Sequence, residues 1–243
     1  MATDLKLSNY RLLCFDVYGT LVDWETGILT ALKPLLEAND ASAKFSNEHL
    51  LTVFHELEAS QQRLSPSLKY STLLATVHDQ VAFRLGLPHR PTFAESKVFG
   101  ESVGFWPAFP DTVDALRRLQ KHYKLVVLSN VDRESFAATN AGPLQGVPFD
   151  LIVTAQDVGT YKPDLGNFEH MLRRVDEEFG VKPEQVIQTA QSQFHDHHPA
   201  KKVGLKSSWI VRPGAIMGNR GEELFDWKFD TLGQMADALE SGQ

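Results

Sequence analysis

"CFDVYGTLVD", residues 14–23, is an apolar run that delivers a carboxylate and then turns on a glycine. Strand formers Leu12, Leu13, Cys14 and Phe15 lead straight into Asp16, and the apolar pattern resumes at Leu21. A charge carried out of a buried strand is costly unless it is paired or put to use. The reading of the whole chain therefore turns on what Asp16 does.

Three more apolar runs of the same kind follow at Leu125–Ser129, Leu151–Thr154 and Val186–Ala190, with the first taken as Arg11–Phe15. A fifth, Ser208–Val211, comes after Gly204. Runs that are apolar on both faces fit a parallel sheet covered by helices on either side. Amphipathic stretches at Thr112–His122, Asn167–Phe179 and Pro199–Val203 lie between them. Alternating strand and helix gives a doubly wound, Rossmann-like α/β domain. Residues 24–107 break this rhythm: their periodicity is helical, interrupted at Pro66, Pro88 and Pro91, with no clear strand. They read as a helical insert after the first strand, with Trp106-Pro107 as a hinge. The expected division is a core of 1–23 and 108–243 and an inserted domain of 24–107.

The formal charge of −7 argues against general affinity for nucleic acid or anionic membrane, so an anionic substrate would need a local cluster of donors. Cys14 is the only cysteine, which excludes an internal disulfide and suits a reducing compartment. No signal-peptide pattern opens the sequence and no apolar run approaches spanning length. The expectation is a soluble, cytoplasmic protein.

In open α/β sheets, ligands sit outside the carboxyl ends of the strands. Here the first strand ends at Asp16 with Thr20 in its turn, and the second ends at Ser129-Asn130. The third leads to Lys162, and the fourth leads through "QTAQSQFHDHHP" to Asp196. Covalent carboxylate catalysis needs this set: Asp16 as nucleophile, Lys162 to hold it ionised, Asp196 to prepare water. Each residue alone also reads as an ordinary turn or cap. Their occurrence at consecutive strand ends is what carries the functional reading.

These residues resemble the motifs of the haloacid dehalogenase superfamily. Asp16 to Thr20 matches the first motif, Ser129-Asn130 the second, Lys162 the third, and Asp196 with Gly204 the fourth. The helical insert matches the family's cap in position and character. Phosphatases of the family typically read Asp-x-Asp, but here the third residue is Tyr18, and Gln191 and Ser192 stand where a phosphatase usually has Gly-Asp. "DVYGT" and "YKPD" instead resemble the L-2-haloacid dehalogenase branch, which works without metal or cofactor. That resemblance implies attack of Asp16 on the carbon alpha to a carboxylate, loss of halide, and hydrolysis of the ester by water activated by Asp196. Tyr18 would sit beside the nucleophile, and Thr20, Ser129 and Asn130 would position it or donate to substrate and halide. Homodimers are common in the branch, but no interface is derivable from the residues.

Three departures weaken the match to that substrate. Where the branch has a cap arginine, position points to His55, with Arg63 two turns further on. Gln191-Ser192-Gln193 replaces a Ser-x-Asn pair, so Gln191 and Gln193 would bind substrate with different reach. Phe168 replaces a tyrosine and is expected to wall the pocket. The run His195-Asp196-His197-His198 invites a metal reading, set against the need for Asp196 as the final acid. Three functions compete: a metal-independent hydrolase of 2-haloacids, a phosphatase of the same superfamily, and a non-catalytic binding protein on the scaffold.

Overall fold

A computed structural model describes residues 5–218 and 222–242; the ends of the expected core, 1–4 and 243, and its stretch 219–221 lie outside them. Strands β1 (Leu12–Phe15), β2 (Lys124–Ser129), β3 (Leu151–Thr154), β4 (Val186–Ala190), β5 (Lys206–Ile210) and β6 (Trp227–Phe229) form one sheet in the order β3-β2-β1-β4-β5-β6. All pairings are parallel. Central β1 is buried throughout, with Leu13 registered against Leu125 on one side and Ile187 on the other. Its side chains alternate between two cores. Leu13 and Phe15 join one apolar cluster, while Leu12 and Cys14 join the other, against Phe168 and Met171. Strand order reverses between β1 and β4, so the crevice forms at the end of β1, where Asp16 stands.

One strand expectation, Ser208–Val211, needed correction, and one strand was not expected. The fifth strand begins at Lys206, two residues early, because Lys206 and Ser207 are tied to Asp226 by the Lys206 ammonium (2.7 Å) and the Ser207 N–H (2.9 Å). The edge strand β6 has only three residues, none fully buried, and so carries no apolar run to announce it.

Residues 24–107 hold helices α1 (Trp24–Glu37), α2 (Asn47–Leu64), α3 (Tyr70–Arg84) and α4 (Phe93–Glu101) and no strand. Ser46 caps α2 through the His49 N–H, and Thr92 and Glu95 form a capping box on α4. The three prolines fall in the links between α2, α3 and α4, where a missing N–H costs nothing. Core helices α5 (Thr112–Leu119), α6 (Arg133–Ala141), α7 (Ala155–Val158), α8 (Leu165–Phe179), α9 (His198–Lys202) and α10 (Leu232–Glu240) complete the chain. The polar sequences of α6 and the loops around α10 gave no advance sign of either helix.

The helical layer is fastened to the sheet at two places. The two crossings run side by side: Asp23 N–H donates to Pro107 O (2.8 Å) and Phe109 N–H to Leu21 O (3.1 Å). Trp106 is buried there against Gly27, where a Cβ would lie 2.3 Å from the indole Cγ, so only glycine fits. At the opposite end Ser71 N–H donates to Asp132 Oδ2 (2.9 Å), Tyr161 hydroxyl to Leu68 O (2.5 Å), and Lys69 pairs with Glu134. A cleft is held between the two fastenings.

Candidate active site

Past Asp16 the backbone curls around the Val17 carbonyl, which accepts from the N–H groups of Thr20, Leu21 and Val22 at 3.2, 2.7 and 2.9 Å. The curl needs Gly19 at φ +99°, a conformation that a side chain resists. It brings the Thr20 hydroxyl back onto Asp16 Oδ2 at 2.7 Å, and the Gln191 N–H donates to that same hydroxyl at 2.9 Å. Arg212, itself buried, holds the turn from behind: Nε donates to Thr20 O (2.9 Å) and Nη1 to Asp111 (2.6 Å).

Lys162 is 2% exposed, and its ammonium uses three donors on three acceptors: Asp16 Oδ1 (2.9 Å), Asp196 Oδ1 (2.7 Å) and Leu128 O (2.9 Å). Burial by itself would pull its pKa down, but the two carboxylates outweigh this and hold it above the usual lysine value. Asn130 fixes the backbone of Lys162 from both sides, accepting from its N–H at 2.6 Å and donating to its carbonyl at 3.0 Å. The amide is thereby committed to positioning Lys162. Asp196 is fully buried on the π-helical turn Gln193–His197, and Gln188 supplies a second donor to Oδ1 at 3.0 Å. Burial pushes its carboxyl up to about 7, against the pull of Lys162 and with the push of Asp16. Its Oδ2 has no hydrogen-bond partner among the described residues, and neither has the buried Ser129 hydroxyl.

This cluster floors a cavity of about 100 Å³. Tyr18, Ser129, Asn130 and Gln191 join the floor and sides, and His55 lies on the helical wall. The Tyr18 hydroxyl is engaged with Thr139 (2.8 Å), and burial raises its pKa, so it presents its ring rather than an acid. Gln191 is partly spent on structure, its Nε2 donating to Met217 O at 2.9 Å.

Three expected residues stand elsewhere. Arg63 is exposed and does not line the cavity. Eight residues beyond His55 it is turned about 80° around α2, off the inward face. Phe168 is fully buried in the cluster on the far face of the sheet and does not wall the pocket. Gln193 points to the segment between β5 and β6, where its Oε1 accepts from the Leu224 N–H at 2.9 Å.

The wall also contains residues the motif reading missed. Glu58, Gln62 and Tyr70 face inward, as do Trp24, Trp106 and His195. Glu58 Oε1 accepts from the Tyr70 hydroxyl (2.5 Å) and Gln62 Nε2 (3.3 Å). Burial pushes this carboxyl up to about 7. Spacing on α2 was the available signal, since 55, 58 and 62 share one face. Burial, with Lys162 adding to it, pushes His195 down to about 4. His197 Nε2–H donates to Ala190 O (2.9 Å) and His198 Nε2–H to Glu222 O (3.0 Å). Among the described residues no three His, Cys, Asp or Glu side chains are grouped to hold a metal.

The model of the haloacid dehalogenase-like hydrolase family matches residues 10–187. A curated (S)-2-haloacid dehalogenase from Burkholderia cepacia is 26% identical over 216 residues, 86% of this chain and 86% of its own length. Among solved structures, an L-2-haloacid dehalogenase from Xanthobacter autotrophicus superposes with TM-score 0.78 at 18% identity, over 96% of this chain and all of that one. A defluorinating L-2-haloacid dehalogenase gives TM-score 0.77 at 21% identity, over 97% and 98%. With the match spanning well over half the sequence, the strand-end residues in place and the fold shared, this chain belongs to the haloacid dehalogenase-like hydrolases.

Proposed function

We propose that the protein is a hydrolytic dehalogenase of small 2-haloacids that works through an aspartyl ester and without metal, with residues 24–107 as its cap. The observation that carries this reading is the Lys162 ammonium, held 2.9 Å from Asp16 and 2.7 Å from Asp196 on the floor of a cavity of about 100 Å³. One carboxylate is kept beside a cation for attack, a second waits beside it, and the space admits only a small substrate.

In the first step a carboxylate oxygen of Asp16 attacks the alpha carbon, the carbon–halogen bond breaks with its electron pair leaving on halide, and an ester forms with inversion. Ser129, whose hydroxyl is uncommitted, donates to substrate or halide. Asp196 then takes a proton from water, which attacks Cγ of Asp16, and collapse releases a 2-hydroxy acid and restores the carboxylate. A carboxyl with a pKa of about 7 is suited to that proton transfer near neutrality. Thr20 orients Asp16, Asn130 positions Lys162, and Trp24 and Trp106 narrow the space from which water must be excluded during alkylation. A divalent cation prefers several hard oxygen ligands, yet Tyr18 places a ring where an acid would serve it, and Asp196 Oδ1 is already occupied by Lys162 and Gln188.

Halide release from chloroacetate, bromoacetate and 2-chloropropionate in excess chelator tests the reading. Strictly magnesium-dependent hydrolysis of a phosphoester, with no halide released, overturns it in favour of a phosphatase.

A further inference from the structure

Resting on that reading, the rate of the first step depends on how firmly the Asp16 carboxylate is aimed at the alpha carbon. Its two oxygens are held separately, Oδ1 by the Lys162 ammonium at 2.9 Å and Oδ2 by the Thr20 hydroxyl at 2.7 Å. Thr20 stands in the curl 17–22, which bends at Gly19. A hydroxyl carried on such a curl keeps its place when the outward carbonyls of the curl are tied down.

We infer that Arg212 is a positioning residue for the nucleophile. Through the Thr20 carbonyl it holds the Thr20 hydroxyl on Asp16, and it sets the curl against the segment by which the chain returns from the helical layer. The guanidinium is buried, and its donors are divided between the two. Nε donates to Thr20 O at 2.9 Å, while Nη1 donates to Asp111 Oδ1 at 2.6 Å and Nη2 to the Thr112 hydroxyl at 3.2 Å. That hydroxyl donates to Leu21 O at 2.9 Å, so the next carbonyl of the curl is tied to the same segment. Asp111 is steadied from its other side, where Oδ2 accepts from the Gly233 N–H at 3.0 Å. The Phe109 ring covers the guanidinium, 4.1 Å from its carbon.

A planar fork can span a carbonyl, a carboxylate and a hydroxyl at once, whereas a lysine ammonium is a point charge on a flexible stem. Arg212 also takes φ +55°, a left-handed conformation that costs a residue with a side chain. That cost is borne where the side chain reaches the nucleophile turn. Arg212 does not line the catalytic cavity, so it acts on the geometry of attack and leaves substrate binding alone. Misplacing a reacting group by about 1 Å costs roughly 10²-fold in rate.

The test compares kcat and KM for bromoacetate in wild type, Arg212→Lys, Thr20→Val and the double variant, with folding checked by circular dichroism. Arg212→Lys should lower kcat by about 10- to 100-fold with KM within about threefold. On the Thr20→Val background the same change should cost less than about threefold more, because the hydroxyl it positions is gone. Asp111→Asn loosens the fork from its far end and serves if Arg212→Lys does not fold. It should lower kcat by about three- to tenfold at unchanged KM, and again have little effect beside Thr20→Val. Hydrogen exchange supplies a readout without substrate. The Gln191 N–H, which donates to the Thr20 hydroxyl at 2.9 Å, should exchange at least about tenfold faster in either variant, while the Ile187 and Gln188 amides of β4 keep their protection. Full kcat in the folded variants, a loss confined to KM, additive losses with Thr20→Val, or a uniform rise in exchange overturns the proposal. Absence of halide release from wild type defeats the dehalogenase reading instead. Gln191 exchange then decides the role of Arg212: selective loss of protection upholds its hold on Thr20, and unchanged protection overturns it.

Discussion

The floor of the cavity and its helical wall solve the problem of buried charge in opposite ways. On the floor, Asp16, Lys162 and Asp196 are packed to 7%, 2% and 0% exposure, and every donor of the ammonium is used. On the wall, His55, Glu58, Gln62 and Tyr70 project from two helices, and Glu58 is balanced by hydrogen bonds from neutral groups. The floor is thus an interlocked ion cluster whose members depend on each other, while the wall can change one residue at a time.

The largest effect expected is on the floor. Asp16→Asn should lower turnover by at least ~10⁴-fold, because an amide cannot form the ester. In a single turnover in heavy-oxygen water, wild-type product should carry its new oxygen from Asp16. Solvent label in the first product would mean that water attacks substrate directly. Asp196→Asn should slow turnover by ~10²–10⁴-fold and trap the ester, visible by mass spectrometry as added acyl mass. Equal slowing without adduct would move Asp196 to the alkylation step or to structure.

Lys162→Met leaves two buried carboxylates without their cation. A loss of ~3–5 kcal/mol in urea unfolding at pH 7 is expected, easing as acid neutralises the pair. A variant as stable as wild type would show that the floor is not interdependent.

The wall should respond to pH in its own way. The folded pKa of Glu58 is raised from 4.5 to about 7, so the native state holds the proton more tightly than the unfolded chain. Its contribution is therefore complete below about pH 4.5 and is lost as pH rises towards 7. Unfolding free energies at pH 5 and 8 should fall by ~2–3 kcal/mol more in wild type than in Glu58→Gln. Parallel pH profiles would refute the burial argument. The smallest effect concerns Arg63→Ala, which should leave KM within about twofold, since the side chain faces solvent. A large rise would mean that α2 presents another face to substrate.

Much of the floor was legible because its residues sit at strand ends, where sequence position and spatial position nearly coincide. Asp16 follows β1, Ser129 ends β2 and Lys162 comes after β3 and the short α7, and a parallel sheet brings such ends to one edge. Legibility failed where direction depends on a neighbouring element. Phe168 and Gln193 lie close to the motifs in sequence, yet the start of α8 turns one into the far core and the π turn aims the other at Leu224. On α2, His55 was located by position, while Glu58 and Gln62 depended on which helical face the sheet would cover.

By itself the sequence determined the first five strands, the helical character of residues 24–107 and the identities at the carboxyl edge, since these follow from local apolar periodicity and chain order. Only tertiary structure decided that one ammonium would serve both carboxylates, that Asn130 would be spent on holding it, and that Glu58 rather than Arg63 would line the cavity. Those outcomes depend on distances of a few ångströms between segments far apart in sequence, 146 residues for Asp16 and Lys162 and 34 for Lys162 and Asp196. No local pattern encodes such a distance, because packing of the whole core sets it.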